Sequence, residues 1–108
     1  MKIEITDNVE TQRFEAHVDG QPAGFVEYRV RDRQIALVHT QVEDAFEGKG
    51  VASTMVKGAL GRVAESGMEL LPVCPFVASY VTKHAEYQGL VPAQRRARYG
   101  LPEAAGSS

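Results

Sequence analysis

The chain changes its hydrophobic period within one short stretch, between Val42 and Ser53. Before this stretch, apolar and polar residues alternate, which is typical of β-strands, and after it apolar residues recur every three or four positions, which is typical of helices. Gly48 and Gly50 lie between the two patterns and free the backbone there. The stretch therefore predicts a strand, a tight turn and a helix whose first N–H groups, unpaired within the helix, point into the turn.

Four short alternating segments precede this turn. Residues that favour turns separate them, namely Asp7-Asn8, Asp19-Gly20 and the residues around Asp32. An Asp-Gly pair in particular connects adjacent antiparallel strands. We therefore expect an antiparallel meander of four strands, which span residues 3–6, 13–18, 23–30 and 34–42.

The chain behind the turn predicts two helices and a fifth strand. An apolar stripe of helical period begins near Gly50, and Ser66-Gly67 is a typical helix end. The apolar run 70–74 follows as a strand, and the strand-helix-strand crossover makes it parallel to the fourth strand. Pro75 suits the first position of a second helix, which we expect to reach about His84. The predicted fold is α+β, with an antiparallel four-strand meander, a parallel fifth strand and two main helices.

Length and composition limit the functions that are available. A chain of 108 residues builds one domain, which we place in residues 1–91, and the segment 92–108 predicts a mobile tail. A net charge of −2 argues against a nucleic-acid binder that depends on broad positive charge. No apolar run is long enough to span a bilayer and no signal-peptide core follows Met1, so we expect a cytoplasmic protein.

The predicted turn favours an anion as its ligand, because unpaired N–H groups and the helix dipole attract negative charge. It lacks the spaced G-x-x-x-x-G-K-S/T of nucleoside triphosphate loops, and Ser53 stands where a dinucleotide fingerprint has its third glycine. The pyrophosphate turn of acyl-coenzyme A transferases, Q/R-x-x-G-x-G/A, fits better. Gly50 and Ala52 occupy its last two fixed positions, and Glu47 occupies the first. A plain strand-to-helix loop is the alternative.

Four segments together point to one family. They are Val38-His39-Thr40, residues 46–52, Val73-Cys74-Pro75-Phe76-Val77 and His84-Ala85-Glu86-Tyr87. Up to about Val91, the chain resembles the small single-domain GNAT-like N-acetyltransferases, also described as YjdJ-like. The resemblance implies a reduced GNAT fold in which the fourth and fifth strands part and acetyl-CoA lies between them. It also implies that the helical insertion after the first strand and the last two strands of larger members are missing.

The resemblance implies that pantetheine lies along the fourth strand and the pyrophosphate on the turn. Backbone N–H groups from Gly48 to Ala52 suit a pyrophosphate, and Lys49 adds attraction from the rim. Glu47 brings a carboxylate close to the phosphates, so we expect weaker binding than in a full-sized member. The expected acetyl-CoA contacts are Val42, Phe46, Glu47, Gly48, Lys49, Gly50, Val51, Ala52 and Ser53.

Three residues are candidates for catalysis, and each has a plain structural alternative. Cys74 stands before Pro75, where the dipole of the predicted second helix favours the thiolate form. Its candidate roles are a transient acetyl acceptor, a residue that lines the pocket, or a buried hydrophobic residue. His39 is a general base or a strand histidine that only bonds a neighbour. Tyr80 is an acid for the departing thiolate, as the resemblance implies, or a residue packed on the sheet.

The resulting hypothesis is an acetyl-CoA-dependent N-acetyltransferase whose acceptor is a small amine or a flexible peptide lysine. We expect a monomer or a weak homodimer, with no nucleic-acid or membrane partner. A single cysteine excludes an internal disulfide and a cysteine-based metal cluster, so we expect no metal site. A coenzyme A-binding module or sensor without transferase activity is the alternative. A thiol-reactive redox protein is a third possibility, which lacks a resolving cysteine.

Overall fold

The computed structural model describes residues 2–101, which form one five-stranded sheet and the helices that contact it. The strands are β1 (Ile3–Asn8), β2 (Arg13–Val18), β3 (Gln21–Arg31), β4 (Gln34–Val42) and β5 (Glu69–Leu71), side by side in chain order. The helices are α1 (Val51–Ser66) and α2 (Pro75–Lys83), and short 3-10 helices span Asp44–Phe46, Ala85–Leu90, Ala93–Arg95 and Ala97–Tyr99. Neighbouring strands from β1 to β4 are antiparallel, and β4 and β5 are parallel. The predicted α+β fold is confirmed.

The core forms between one face of the sheet and α1. Alternation along β2 buries Phe14, Ala16 and Val18 and leaves the residues between them on the opposite face. The apolar stripe of α1 is also buried, and it includes Met55 and Leu60, both fully inaccessible to solvent. The stripe that predicted a helix is therefore the side of α1 that contacts the sheet.

The fifth strand is shorter than predicted, because the run 70–74 forms a strand only as far as Leu71. The Glu69 N–H donates to the Arg33 carbonyl, so alternate residues of β5 face β4 and Val73 would supply the next donor after Leu71. The Val73 N–H instead donates back to the Leu71 carbonyl at 2.9 Å. The Cys74 N–H then donates to the Leu37 carbonyl of β4 at 2.8 Å. Cys74 therefore precedes α2 as its N-cap residue and does not belong to β5.

The segment after Val91 differs from the predicted mobile tail as far as Leu101. Val91 and Leu101 are both buried in the core cluster. The buried Arg96 donates from Nε to the Val91 carbonyl at 3.1 Å, and its own carbonyl accepts the Leu101 N–H at 2.9 Å. These bonds connect residues within the segment, and the burial of Val91 and Leu101 joins its two ends to the core. The rest of the predicted tail, residues 102–108, lies outside the described residues.

The close approach of β3 to β4 generates a stability prediction. A Cβ at Gly24 would collide with the Gln41 carbonyl oxygen, so we expect Gly24→Ala to lower the free energy of unfolding by about 1–3 kcal/mol. Urea unfolding measures the change. Gly61→Ala is the matched control, since a Cβ at that position in α1 meets no atom within 4 Å. We expect this control to raise the free energy of unfolding by up to about 1 kcal/mol. Parental stability of Gly24→Ala would contradict the prediction.

Candidate functional site

The turn between β4 and α1 presents unpaired backbone donors. Gly48 and Gly50 both have left-handed φ angles, of 76° and 77°, which glycine adopts without a steric penalty. Gly50 is the N-cap of α1, so no side chain satisfies the first N–H groups, and the first helical turn has no acidic residue. The predicted strand, turn and helix are therefore present, and the positive end of the helix dipole is open to an anion. We call this feature the anion corner and define it as residues 47–53.

A cavity of about 200 Å³ lies at the anion corner. Its lining includes every residue predicted to contact acetyl-CoA except Lys49, whose ammonium lies 6.0 Å from the centroid of the Phe46 ring. Phe76 of α2 also lines this cavity and is 42% exposed. Sequence reasoning did not assign it to the site, although its place directly after Pro75 put it in the first turn of α2. The lining is composed of Val42, Phe46, Glu47, Gly48, Gly50, Val51, Ala52, Ser53 and Phe76.

A second cavity, of about 300 Å³, adjoins the first, since Ser53 and Phe76 line both. It continues along α2 past Tyr80, Lys83 and His84. The two cavities make one groove, from the anion corner along α2, which we call the α1–α2 groove. One of the three predicted catalytic residues, Tyr80, therefore shares a groove with the predicted coenzyme contacts.

Tyr80 and His84 form a stacked pair on the wall of the α1–α2 groove. Their ring centroids are 3.9 Å apart with planes inclined by 14°. His84 Nδ1 lies 2.7 Å from the Tyr80 carbonyl oxygen, and because a carbonyl only accepts, Nδ1 carries a hydrogen. Burial raises the pKa of the Tyr80 phenol above its ordinary value, with smaller contributions from Tyr87 and Glu86. The phenol therefore keeps its proton at neutral pH. His84 was not predicted as a site residue, although its spacing of four from Tyr80 was visible.

Cys74 lies beneath the groove, between β4 and α2. Its side chain is 6% exposed, and Sγ is 3.3 Å from Thr40 Oγ1, within hydrogen-bonding distance. The residue stands immediately before Pro75, at the start of α2, as the sequence predicted. It does not belong to the lining of either cavity of the groove. The thiol is therefore covered in this structure.

His39 lies on the other face of β4. It is exposed, with its ring 5.9 Å from that of Phe25 and Nε2 3.3 Å from Gln41 Oε1. The neighbouring residue, Thr40, faces Cys74, and successive strand residues point to opposite faces of the sheet. The structure therefore does not bring the three predicted catalytic residues into one cluster.

The edge of β4 that faces β5 is open near Cys74. β5 pairs only with residues 34–36 of β4, and the bond from Cys74 to Leu37 follows. The register with β3 also shifts at this point, because Leu37 opposes Tyr28 while His39 opposes Glu27, which leaves Val38 as the extra residue of a bulge. A bulge redirects the backbone groups around it. Pairing between β4 and β5 therefore ends before the bulge, and β4 continues to Val42, which lines the groove.

Comparison with known proteins assigns the chain to a family. The sequence model of the GCN5-related N-acetyl-transferase family matches residues 13–90, which contain β2 to β5, the anion corner and both α-helices. The chain belongs to this family. The finer assignment to YjdJ-like proteins stays a prediction.

Curated relatives and one solved structure are similar to part or most of the chain. Protein NATD1 of Homo sapiens is 34% identical over 55 residues, which cover 51% of this chain and 49% of that protein. The Xenopus tropicalis protein of the same name is 33% identical over 55 residues, 51% of this chain and 50% of the relative. The chain thus spans about half the length of these curated relatives. The NMR structure of a GCN5-like protein from Staphylococcus aureus shares the fold, with a TM-score of 0.62, 23% identity and coverage of 82% of this chain and 87% of that one.

The described residues contain neither a membrane-spanning helix nor a metal-binding cluster. Within residues 2–101, no helix is long and apolar enough to cross a membrane. The same residues contain no group of three or more His, Cys, Asp or Glu side chains suited to holding a metal ion. Of the predicted site residues, Tyr80 and the coenzyme contacts other than Lys49 line the α1–α2 groove, whereas Cys74 and His39 do not.

The burial of Cys74 generates a prediction about its reactivity. We expect a disulfide reagent such as DTNB to label the thiol at least about tenfold more slowly in the native protein than in urea, because the side chain is 6% exposed. Release of the coloured thiolate measures the rate. Thr40→Val removes the neighbouring hydroxyl without opening the site, so we expect it to remain protected. Equal rates in native and unfolded protein would show that the thiol is freely accessible.

Proposed function

We propose that this chain is an acetyl-CoA-dependent N-acetyltransferase whose acceptor is an amine. Family membership supports acetyl transfer in general. The observation that carries the proposal for this chain is the continuity of its groove, since unpaired helix-start amides at one end connect past Phe76 to the protonated phenol of Tyr80. An anion-binding end joined to a proton donor suits a substrate with phosphates at one end and a reactive group at the other.

The anion corner fits a pyrophosphate. The N–H groups of Val51, Ala52 and Ser53 would hold the phosphate oxygens, because the helix leaves these donors unpaired. Gly48 and Gly50 have no side chain, so a phosphate group can approach the backbone closely at these two residues. Glu47 opposes this attraction, because its carboxylate lines the same cavity. Binding then depends on backbone donors more than on side-chain charge, and we expect a modest affinity.

The open edge of β4 fits the amide-bearing arm of coenzyme A. The backbone from Val38 to Val42 lies beyond the paired residues of β5 and can hydrogen-bond an extended chain, as an added strand would. The bulge at Val38 turns backbone groups away from the regular ladder. An N–H group turned in this way would stabilise the negative charge that develops on a carbonyl oxygen during acyl transfer.

When bound, acetyl-CoA supplies an acetyl group activated as a thioester. Tyr80 holds a proton that it can donate to a departing thiolate, because its raised pKa keeps the phenol neutral. His39 is exposed on the face of β4 opposite the Thr40–Cys74 contact, which favours its alternative as a strand histidine bonded to Gln41 over the role of general base. The acceptor in this proposal is a small amine or a flexible peptide lysine, since neither needs a deep pocket.

A charge placed at the anion corner tests the coenzyme site. Ser53→Glu puts a carboxylate on the lining of both cavities, and we expect at least about tenfold weaker coenzyme A binding in calorimetry. Thr54→Glu is the matched control, because it adds the same charge in the same helical turn at an exposed residue outside the cavity lining. Carboxylates at a helix start favour the helix, so both variants should fold. Equal binding by Ser53→Glu and Thr54→Glu would reject the site.

Turnover tests the transfer itself and the role of Cys74. We expect the parent protein, given acetyl-CoA and a panel of primary amines, to release coenzyme A and form acetylated amine. Cys74→Ala should retain this activity within about threefold, because the covered thiol does not line the groove. A complete loss in a folded Cys74→Ala protein would indicate a covalent acetyl-cysteine route. Binding without transfer to any amine would make the chain a coenzyme A-binding module.

A further inference from the structure

A larger cavity, of about 400 Å³, lies at the opposite end of α1 from the anion corner. Its lining includes Arg62, Val63, Glu65 and Ser66 of α1 and Ile35 of β4. The cavity at the anion corner is lined by the first turn of α1 and by Val42 of β4. Val51 and Ser66 are about 22 Å apart along the helix axis. We call this cavity the distal cavity.

Packed side chains separate the distal cavity from the α1–α2 groove. Leu60 lies between the two sets of residues on α1, and Leu37 lies between them on β4. Both leucines are fully buried. A molecule in the distal cavity would therefore not contact the groove, so any binding there is a property distinct from coenzyme binding.

Two packed aromatic residues, Phe14 and Tyr28, form the floor of the distal cavity, and a hydrogen bond to Asp7 fixes the Tyr28 side chain. Phe14 and Tyr28 have ring centroids 4.8 Å apart and are 3% and 5% exposed as residues. The Tyr28 hydroxyl donates to Asp7 Oδ1 at 2.6 Å. Burial, followed by this hydrogen bond and the Asp7 charge, raises the pKa of Tyr28 to about 12, so the phenol remains a donor. The Asp7 carboxylate is thereby fixed at the rim, above an apolar surface.

Carboxylates outnumber cations in the lining of the distal cavity, which contains Asp7, Glu65 and Arg62. Within residues 2–101 the ion pairs join Lys2 to Glu4 and Arg29 to Glu27, so neither Asp7 nor Glu65 forms an ion pair. The two carboxylates share the rim with the last turn of α1, which contains no basic residue. The carbonyl end of a helix attracts cations.

Arg62 supplies the positive charge in the lining of the distal cavity. One of its guanidinium nitrogens donates to the Ile5 carbonyl at 3.0 Å, which holds the side chain toward the edge of β1. One cation therefore faces two unpaired carboxylates and a helix C-terminus. The charged side chains of the lining therefore have a net negative charge, which favours the binding of one additional cationic group.

We propose that the distal cavity binds a small organic amine with an apolar body. The ammonium would lie at the rim beside Asp7 and Glu65, and the apolar body would lie against Val30 and the small exposed parts of Phe14 and Tyr28. A volume of about 400 Å³ falls within the range of small-molecule sites, which is about 300–1,000 Å³. An apolar lining with a few converging polar groups is the usual composition of such sites. The site is independent of the proposed transferase function.

An NMR titration with two matched probes tests this proposal. We expect 2-phenylethylamine, added to the coenzyme-free protein at pH 7 and low salt, to shift amide signals around the distal cavity in a saturable manner. Its neutral counterpart 2-phenylethanol has nearly the same shape, and we expect it to bind at least about tenfold more weakly. Asp7→Asn keeps an oxygen that can accept from Tyr28 but removes the charge, so it should weaken only the amine. Similar affinities for the two probes would overturn the proposal.

A blocking variant locates the bound amine. Val30 lines the distal cavity and is 42% exposed, so Val30→Trp should fill the cavity and abolish the shifts. Val9→Trp is the control, because Val9 is 70% exposed and lies outside this lining. Ser53→Glu should bind the amine as tightly as the parent protein does, because Ser53 does not line the distal cavity. Loss of coenzyme A binding at the anion corner can therefore be distinguished from loss of amine binding at the distal cavity. Saturable shifts that persist in a folded Val30→Trp protein, or that centre on the anion corner, would contradict the assignment.

Discussion

The early end of β5 is the constraint on which the candidate site depends. The Val73 N–H turns back to the Leu71 carbonyl, so pairing with β4 stops and the last backbone bond runs from Cys74 to Leu37. A fully paired fifth strand would use the β4 edge for its own hydrogen bonds and leave none for a ligand. The same interruption starts α2 directly after Cys74, which brings Phe76 to the anion corner. The turn at Val73 therefore ends the ladder, and the chain continues into the helix that lines the groove.

The anion corner depends on backbone conformation more than on side-chain charge. Gly50 caps α1 without a side chain, so the first N–H groups remain available, and Gly48 allows the chain to turn before it. Glu47 lies in the same lining and weakens the attraction for an anion. A site of this kind tolerates changes of the surrounding side chains, because its donors belong to the main chain. It is sensitive to carboxylates placed in the first turn of α1.

The helix α1 separates two regions of opposite electrostatic character. Its N-terminus faces the anion corner, and its C-terminus faces the distal cavity with its unpaired carboxylates. Between these ends, Leu37 and Leu60 fill the contact between helix and sheet. A single helix dipole thus favours an anion at one end and a cation at the other. The packed middle keeps the two regions apart, so each can be altered by substitutions that leave the other in place.

The sequence by itself determined the local structure of this protein. Alternation predicted the four antiparallel strands, and the change of period after Gly50 predicted α1, because both patterns follow from backbone geometry within a few residues. The glycine turn was visible for the same reason. The acyl-coenzyme A assignment required, in addition, the resemblance of four separated segments to a family. Residues 92–101 have no regular hydrophobic period, so the sequence contained no sign that Leu101 is buried in the core.

Only the tertiary structure decided how the candidate residues are combined. Strand spacing does not show the bulge at Val38, and the alternation beyond it puts His39 and the Thr40–Cys74 contact on opposite faces of β4. Packing of α1 against α2 places Tyr80 on a groove that reaches the anion corner. These outcomes depend on contacts between residues far apart in the chain. A local pattern carries no information about which distant side chains meet.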